Sequence, residues 1–240
     1  MKSLIKILFI SLLVASIIYA FTKEEKSIIL THTVDLKKQN LKLYWKNDKG
    51  ELFKNFKNLK TWTKSKNEKL VFAMNGGMYM EDRTPLGLYI ENGVEKKKIN
   101  KVKEAFGNFY LQPNGIFYIT KNNKGFVCQT DSFENKNIKH ATQSGPMLVI
   151  DGKIHSKLTK GSKNLNIRNG VGILPNNKVV FAMSKEKINF YDFASYFKSL
   201  GCKNALYLDG YVSRTYLPEK GYNFLGGKFG VIIGETTPIK

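Results

Sequence analysis

Leu70-Val71-Phe72-Ala73-Met74-Asn75-Gly76-Gly77-Met78-Tyr79 begins as an unbroken apolar run and stops at an asparagine followed by two glycines. An apolar run of this length, bounded by turn residues, reads as a buried strand. The strand hands Asn75 to the edge of the core, where glycine lets backbone N–H groups approach a ligand closely. Three further segments share the design: Ser144-Gly145-Pro146, Arg168-Asn169-Gly170-Val171-Gly172 and Asp209-Gly210-Tyr211-Val212-Ser213-Arg214. Each alone is a turn; together they are expected to form the rim of one pocket.

Outward from this stretch, residues 28–34 and 41–45 read as strands around the polar turn Lys37–Asn40. Leu52, Phe53, Phe56, Leu59 and Trp62 recur at spacings of three and four, which predicts a helix from Glu51 to about Lys64. Short strands are expected at 87–91, 109–112, 115–120, 147–150, 170–174 and 178–183, with hairpin turns at Asn92-Gly93 and Asp151-Gly152. Asn189 caps a second helix whose apolar face is Phe193, Ala194 and Phe197, and Gly201 ends it. That helix leads into Ala205-Leu206-Tyr207-Leu208-Asp209, a buried strand closing on a carboxylate, and a last strand is expected at 229–233. Mixed strands with few helices indicate an α+β fold, a mixed β-sheet core with a few flanking helices.

The N-terminus has a different character. Lys2 and Lys6 precede an apolar run from Ile7 to Ala20 that is short for a bilayer-spanning helix, and Ala20 is a small residue suited to a cleavage site. Residues 1–21 therefore read as a signal peptide or an N-terminal membrane anchor. Residues 22–240 then form one domain that is exported, whether periplasmic, extracellular or held on the outer side of the cytoplasmic membrane. Cys128 and Cys202 are the two cysteines of the chain, too few for a cysteine zinc site or a disulfide framework, although they could pair in an oxidising compartment. The formal charge of +20 suits an anionic partner such as an acidic glycan or sugar phosphate. Lysine supplies 36 of the 39 basic residues throughout the chain, as a biased coding sequence would produce, and no basic block interleaved with aromatics marks a nucleic-acid module.

Against that lysine background the three arginines, Arg83, Arg168 and Arg214, fall in or beside the four glycine-bearing segments. Their planar forks grip phosphate or carboxylate in two-point geometry that lysine cannot match, so two of the three are expected at an anionic substrate. Asp209 is the best catalytic candidate by its place at the end of a buried strand. His32, His140 and His155 are isolated and support no histidine metal site. Ser144 lacks the preceding glycine of a nucleophile elbow, and with His140 in an expected loop it makes a poor serine hydrolase. No cofactor fingerprint is present, while a structural divalent cation on Asp209 and nearby carbonyls stays open.

Taken in order, Ala73-Met74-Asn75-Gly76-Gly77-Met78-Tyr79, Gly87-Leu88 with Asn92-Gly93, Gln143-Ser144-Gly145-Pro146-Met147-Leu148, Arg168-Asn169-Gly170-Val171-Gly172 and Leu206-Tyr207-Leu208-Asp209-Gly210 with Ser213 resemble the phosphodiester glycosidase family. The resemblance implies hydrolysis of the bond between an anomeric carbon and a phosphate diester in an envelope glycan or glycolipid. It implies that Asn75, Ser144, Arg168 and Asp209 are catalytic, with Arg168 and Arg214 holding the departing phosphate and Asp209 directing water or stabilising an oxocarbenium-like sugar. Gly76, Gly77, Gly145, Asn169, Gly210, Tyr211 and Ser213 would contact or shape the substrate site, Tyr211 by stacking on a sugar ring. No convincing second carboxylate is read; Glu81 and Asp82 are candidates by position. Where the family shows Leu-Asp-Gly-Gly-Gly-Ser, this chain has Tyr211 and Val212 in place of two glycines. The alternative reading is a noncatalytic binding protein that holds a phosphorylated or acidic glycan during envelope polymer export.

Overall fold

The structure, a computed structural model, describes residues 27–209 and 212–239. The export segment read at residues 1–21 lies outside the described residues, as do Gly210 and Tyr211. In chain order the elements begin with β1 (Ile29–Val34), β2 (Asn40–Tyr44), α1 (Phe56–Ser65), β3 (Glu68–Asn75), β4 (Tyr89–Glu91), β5 (Val94–Lys97), β6 (Gly115–Thr120) and β7 (Gly125–Gln129). They continue with β8 (Ile138–Ser144), β9 (Met147–Ile150), β10 (Lys153–Ile154), β11 (Asn169–Ile173) and β12 (Val179–Ser184). The last are α2 (Phe190–Ser199), β13 (Ala205–Asp209), β14 (Thr215–Leu217), β15 (Tyr222–Asn223) and β16 (Ile232–Pro238). Helices and strands are both present, as expected, but the molecule is mostly sheet.

Among the described residues three sheets carry the fold, in the orders β1-β12-β11-β13-β9-β10, β15-β14-β3-β16-β2 and β5-β4-β8-β6-β7. A central core takes side chains from all three, among them Phe181, Val171 and Leu206 of the first, Phe72, Met74 and Ile233 of the second, and Tyr89 and Phe117 of the third. The outer face of the first sheet is covered by Phe190, Phe193, Ala194 and Phe197 of α2, and that of the second by Phe56 and Leu59 of α1. β3 is therefore apolar on both faces, which is why residues 70–74 read as an uninterrupted run.

The Asn189 cap accepts from the Asp192 amide and starts α2 as expected. The first helix begins later than its apolar spacing suggests, because Lys54 turns the chain at φ 62 and Asn55 is the capping residue. Phe53 is still buried against Tyr44 and Trp62, so the periodic pattern was real while the backbone was not helical there. Asn92-Gly93 and Asp151-Gly152 form the expected tight turns with positive φ at both residues, joining β4 to β5 and β9 to β10. Residues 109–112 are not a strand: Asn108–Tyr110 is a single 3-10 turn that plants Phe109 in the interior. The final strand starts at Ile232, not 229, and continues through Glu235 and Thr236, both buried. β8, expected as a loop around His140, is a strand whose His140, Thr142, Gln143 and Ser144 are all buried. Both thiols stand free, Cys202 buried beside α2 and Cys128 half-buried against the outer cluster of the third sheet. Burial pushes each thiol up to about 11, away from the reactive thiolate.

Candidate active site

Three strand ends meet where the first and second sheets abut. Asn75 is the last residue of β3, Asn169 the first of β11, and Asp209 the last of β13, the latter two opposite each other in register. The Asn75 side-chain amide donates to Asp209 Oδ2 at 2.7 Å. Its Oδ1 accepts from Asn169 Nδ2 at 3.1 Å and from the Arg214 backbone N–H at 2.8 Å. Asn169 Nδ2 also donates to the Asn75 carbonyl at 2.9 Å, while Asn169 Oδ1 accepts from the Asp209 N–H at 3.1 Å and the Ser213 hydroxyl at 3.3 Å. Each amide oxygen thus faces donors, so the network fixes both asparagine orientations and presents an N–H to the carboxylate. Buried amides satisfied in this way hold the aspartate in one geometry, because any rotation would orphan a buried polar atom.

Asp209 is 5% exposed and is reached through a cleft of about 590 Å³, within the range of small-ligand sites. Tyr79, Arg83, Asn108, Tyr110 and Lys228 supply its other polar groups, and Met78, Leu86, Phe106, Phe109 and Val212 its apolar wall. Tyr79 and Arg83 sit on a tight turn closed by the Met80 N–H to the Thr84 carbonyl at 2.8 Å, with Asp82 capping Thr84. The Arg83 guanidinium lies 5.0 Å from the Tyr79 ring centre. Burial raises the Tyr79 phenol, Asp209's charge raises it further, and Arg83 pulls it down, so the hydroxyl keeps its proton and remains a donor. Among the described residues neither Arg83 nor Lys228 forms an ion pair, leaving two cations on the wall for an anion.

The expected site residues divide into two groups. Asn75, Asn169, Asp209 and Ser213 come together, and Arg214 joins them through its backbone; its guanidinium instead bonds the Ser213 carbonyl at 2.8 Å and lies near Phe224. Arg168 is fully buried elsewhere: Nε donates to the Ile188 carbonyl, Nη2 to the Asn164 carbonyl, both at 2.8 Å, and Nη1 to the Tyr207 hydroxyl at 3.2 Å. Its plane stacks 3.6 Å from the Phe190 centroid. Burial lowers its affinity for the proton and the Tyr207 contact partly restores it. Ser144 is also buried, its hydroxyl donating to the Leu208 carbonyl at 2.7 Å and tying the third sheet to β13.

Gly76, Gly77 and Gly145 serve close packing. A Cβ there would lie 2.5 Å from Ile233 Cγ1, 2.5 Å from Thr142 Oγ1 and 2.6 Å from Asn114 Cβ, respectively. Of the three arginines, Arg83 is the one that lines the cleft. Tyr79 and Arg83 were within sight of the sequence, the first as the end of a quoted motif and the second in the arginine count; Asn108, Tyr110, Lys228 and Phe106 carried no local signal.

The sequence profile of the phosphodiester glycosidase family matches residues 68–229, which contain all of these strand ends. A protein of Escherichia coli K12, the uncharacterised YigE, is 39% identical over 191 residues, 79% of this chain and 74% of its own. The catalytic domain of zebrafish N-acetylglucosamine-1-phosphodiester alpha-N-acetylglucosaminidase, auto-inhibited by its pro-peptide, superposes with a TM-score of 0.52 at 14% identity, over 86% of this chain and 87% of that one. A Burkholderia pseudomallei protein named as exported has a TM-score of 0.54 at 8% identity, over 86% and 73% of the two chains, and shares the fold. With the family profile spanning most of the sheet framework and the asparagine-held aspartate inside it, the chain belongs to the phosphodiester glycosidase family.

Proposed function

We propose that this protein is an exported hydrolase that cleaves a sugar–phosphodiester bond in a cell-envelope glycan or glycolipid. The observation that carries the reading is Asp209, oriented by Asn75 and opening into a cleft whose wall holds Arg83 and Lys228. In the reaction water adds to the anomeric carbon, the bond from that carbon to the phosphate oxygen breaks, and the products are the free sugar, the phosphomonoester and a proton. Asp209 orients the water or offsets the positive charge that grows on the ring. Arg83 and Lys228 balance charge on the departing phosphate, taking the part that the family resemblance implied for Arg168 and Arg214. A phosphate is a good leaving group, so a strong general acid is not required. Export is supported by the apolar run Ile7–Ala20.

The test is release of sugar from UDP-N-acetylglucosamine or an alkyl glycosyl phosphate by wild type and Asp209→Asn. Release by wild type alone supports the reading; equal release by the variant removes Asp209 from the chemistry. Val212 favours a second reading, because it stands where the family has glycine, lines the cleft and packs against the cluster that holds Phe56, Tyr216 and Phe229. On that reading the pocket binds a phosphorylated or acidic glycan without turnover, and saturable binding with no release by either protein is its signature.

A further inference from the structure

We propose that the mouth of this cleft is an aglycone subsite and that the alcohol on the far side of the phosphate is an apolar chain, so that the substrate is a glycosyl-phosphoryl lipid. The inference rests on the hydrolysis reading above and narrows its substrate class. Along the cleft Asp209 and Phe109 are 5% and 1% exposed, Met78, Leu86, Val212, Tyr79 and Arg83 are half-buried, and Lys228 and Phe106 are exposed, Phe106 at 102%. An isolated surface phenylalanine is unremarkable. Phe106 differs because it lines the cleft together with Met78, Leu86, Phe109 and Val212, giving an apolar wall that runs from the buried Phe109 to solvent.

The segment carrying Phe106 is a strap pinned at both ends. Asn100 exchanges hydrogen bonds with the Gln143 side chain at 2.9 and 2.7 Å and reaches the Leu86 carbonyl at 3.2 Å. At the other end Gly107, with φ 111 and no atom near its missing side chain, enters the turn that buries Phe109. Between them residues 101–106 are all exposed, with Lys103 to Asp131 at 2.9 Å as a side-chain tie. A sugar needs hydrogen-bonding partners along its length, and the face formed by Met78, Leu86, Phe109, Val212 and Phe106 offers carbon. An alkyl chain leaving the phosphate gains by covering that carbon.

The probes are the methyl and octyl esters of N-acetylglucosamine 1-phosphate, used below micelle-forming concentrations with wild type, Phe106→Ala and a control, Phe126→Ala, whose exposed ring lies on β7. The octyl ester is expected to have a KM about tenfold below the methyl ester, the effect of burying only about two methylenes. Phe106→Ala should narrow the difference between the two esters to within about twofold, and Phe126→Ala should preserve the preference. Binding of octyl against methyl phosphate by calorimetry repeats the comparison without turnover. Equal constants for the two chain lengths, or a preference that survives Phe106→Ala, overturns the subsite. Failure to hydrolyse either ester counts against the hydrolase reading, and the calorimetry still decides the subsite.

Discussion

Replacing Arg168 by lysine separates an internal strut from a phosphate clamp. In the folded chain the guanidinium serves four acceptors: the Ile188 carbonyl, the Tyr207 hydroxyl, and the carbonyl and side-chain oxygen of Asn164. Ile188 keeps the Asn166 N–H at 3.2 Å, and the exposed Asn164 can turn to water. Tyr207, fully buried, loses its hydrogen-bonding partner unless the ammonium reaches it, at about 1–3 kcal/mol. Loss of the stacked plane over Phe190 adds about 1 kcal/mol, and a compact ammonium is harder to bury than a delocalised guanidinium. Together these amount to about 3 kcal/mol, or roughly 10 °C in the unfolding midpoint for a chain of this size. The assay pairs thermal unfolding with KM for the methyl glycosyl phosphate. A large drop in midpoint with KM unchanged is the expected outcome. An unchanged midpoint with KM raised about tenfold would refute the strut and restore Arg168 to the phosphate.

Arg83→Gln, which keeps the turn and removes a cleft cation, should raise KM about tenfold with unfolding nearly unaffected; an unchanged KM means that phosphate does not meet this wall. His140 is buried, its Nε2 has no hydrogen-bond partner among the described residues, and burial beside Lys139 and Lys42 lowers it from 6.5 to about 3. The folded state therefore binds fewer protons than the unfolded state below about pH 6.5, so this contribution is complete above that pH and is lost as pH falls toward 3. Urea titrations at pH 7 and 4.5 should show His140→Asn gaining about 2 kcal/mol on wild type at the lower pH; parallel losses would show that His140 is not the group responsible.

The two helices illustrate what a local pattern can carry. Asn189 with Asp192 fixes where α2 begins, because capping is a contact between neighbours in the chain. The start of α1 escaped the same reading because Phe53 is buried from a non-helical backbone, so its spacing mimicked a helix face. β8 and the end of β16 escaped for a different reason. His140, Thr142, Gln143, Glu235 and Thr236 are buried polar residues, and the sequence does not record that Leu88 and Asn100 will meet Gln143 or that Gln39 and His32 will meet Glu235.

At the site, the sequence by itself determined which strands end in asparagine or aspartate beside small residues, and hence that Asn75, Asn169, Asp209 and Ser213 were expected at one rim. These positions follow from apolar runs and glycines that are legible locally, and their order carries the family. Tertiary structure alone decided which cation faces the cleft and what makes its outer wall. Arg168 and Asn169 are neighbours in sequence, yet one side chain joins the Asn75 network while the other is spent on Ile188, Tyr207 and Phe190. Arg83, Phe106 and Lys228, far apart along the chain, come to one opening because three sheets pack around a common core. A strand's own pattern says where it ends, whereas the surroundings of each side chain there are set by packing across elements distant in sequence.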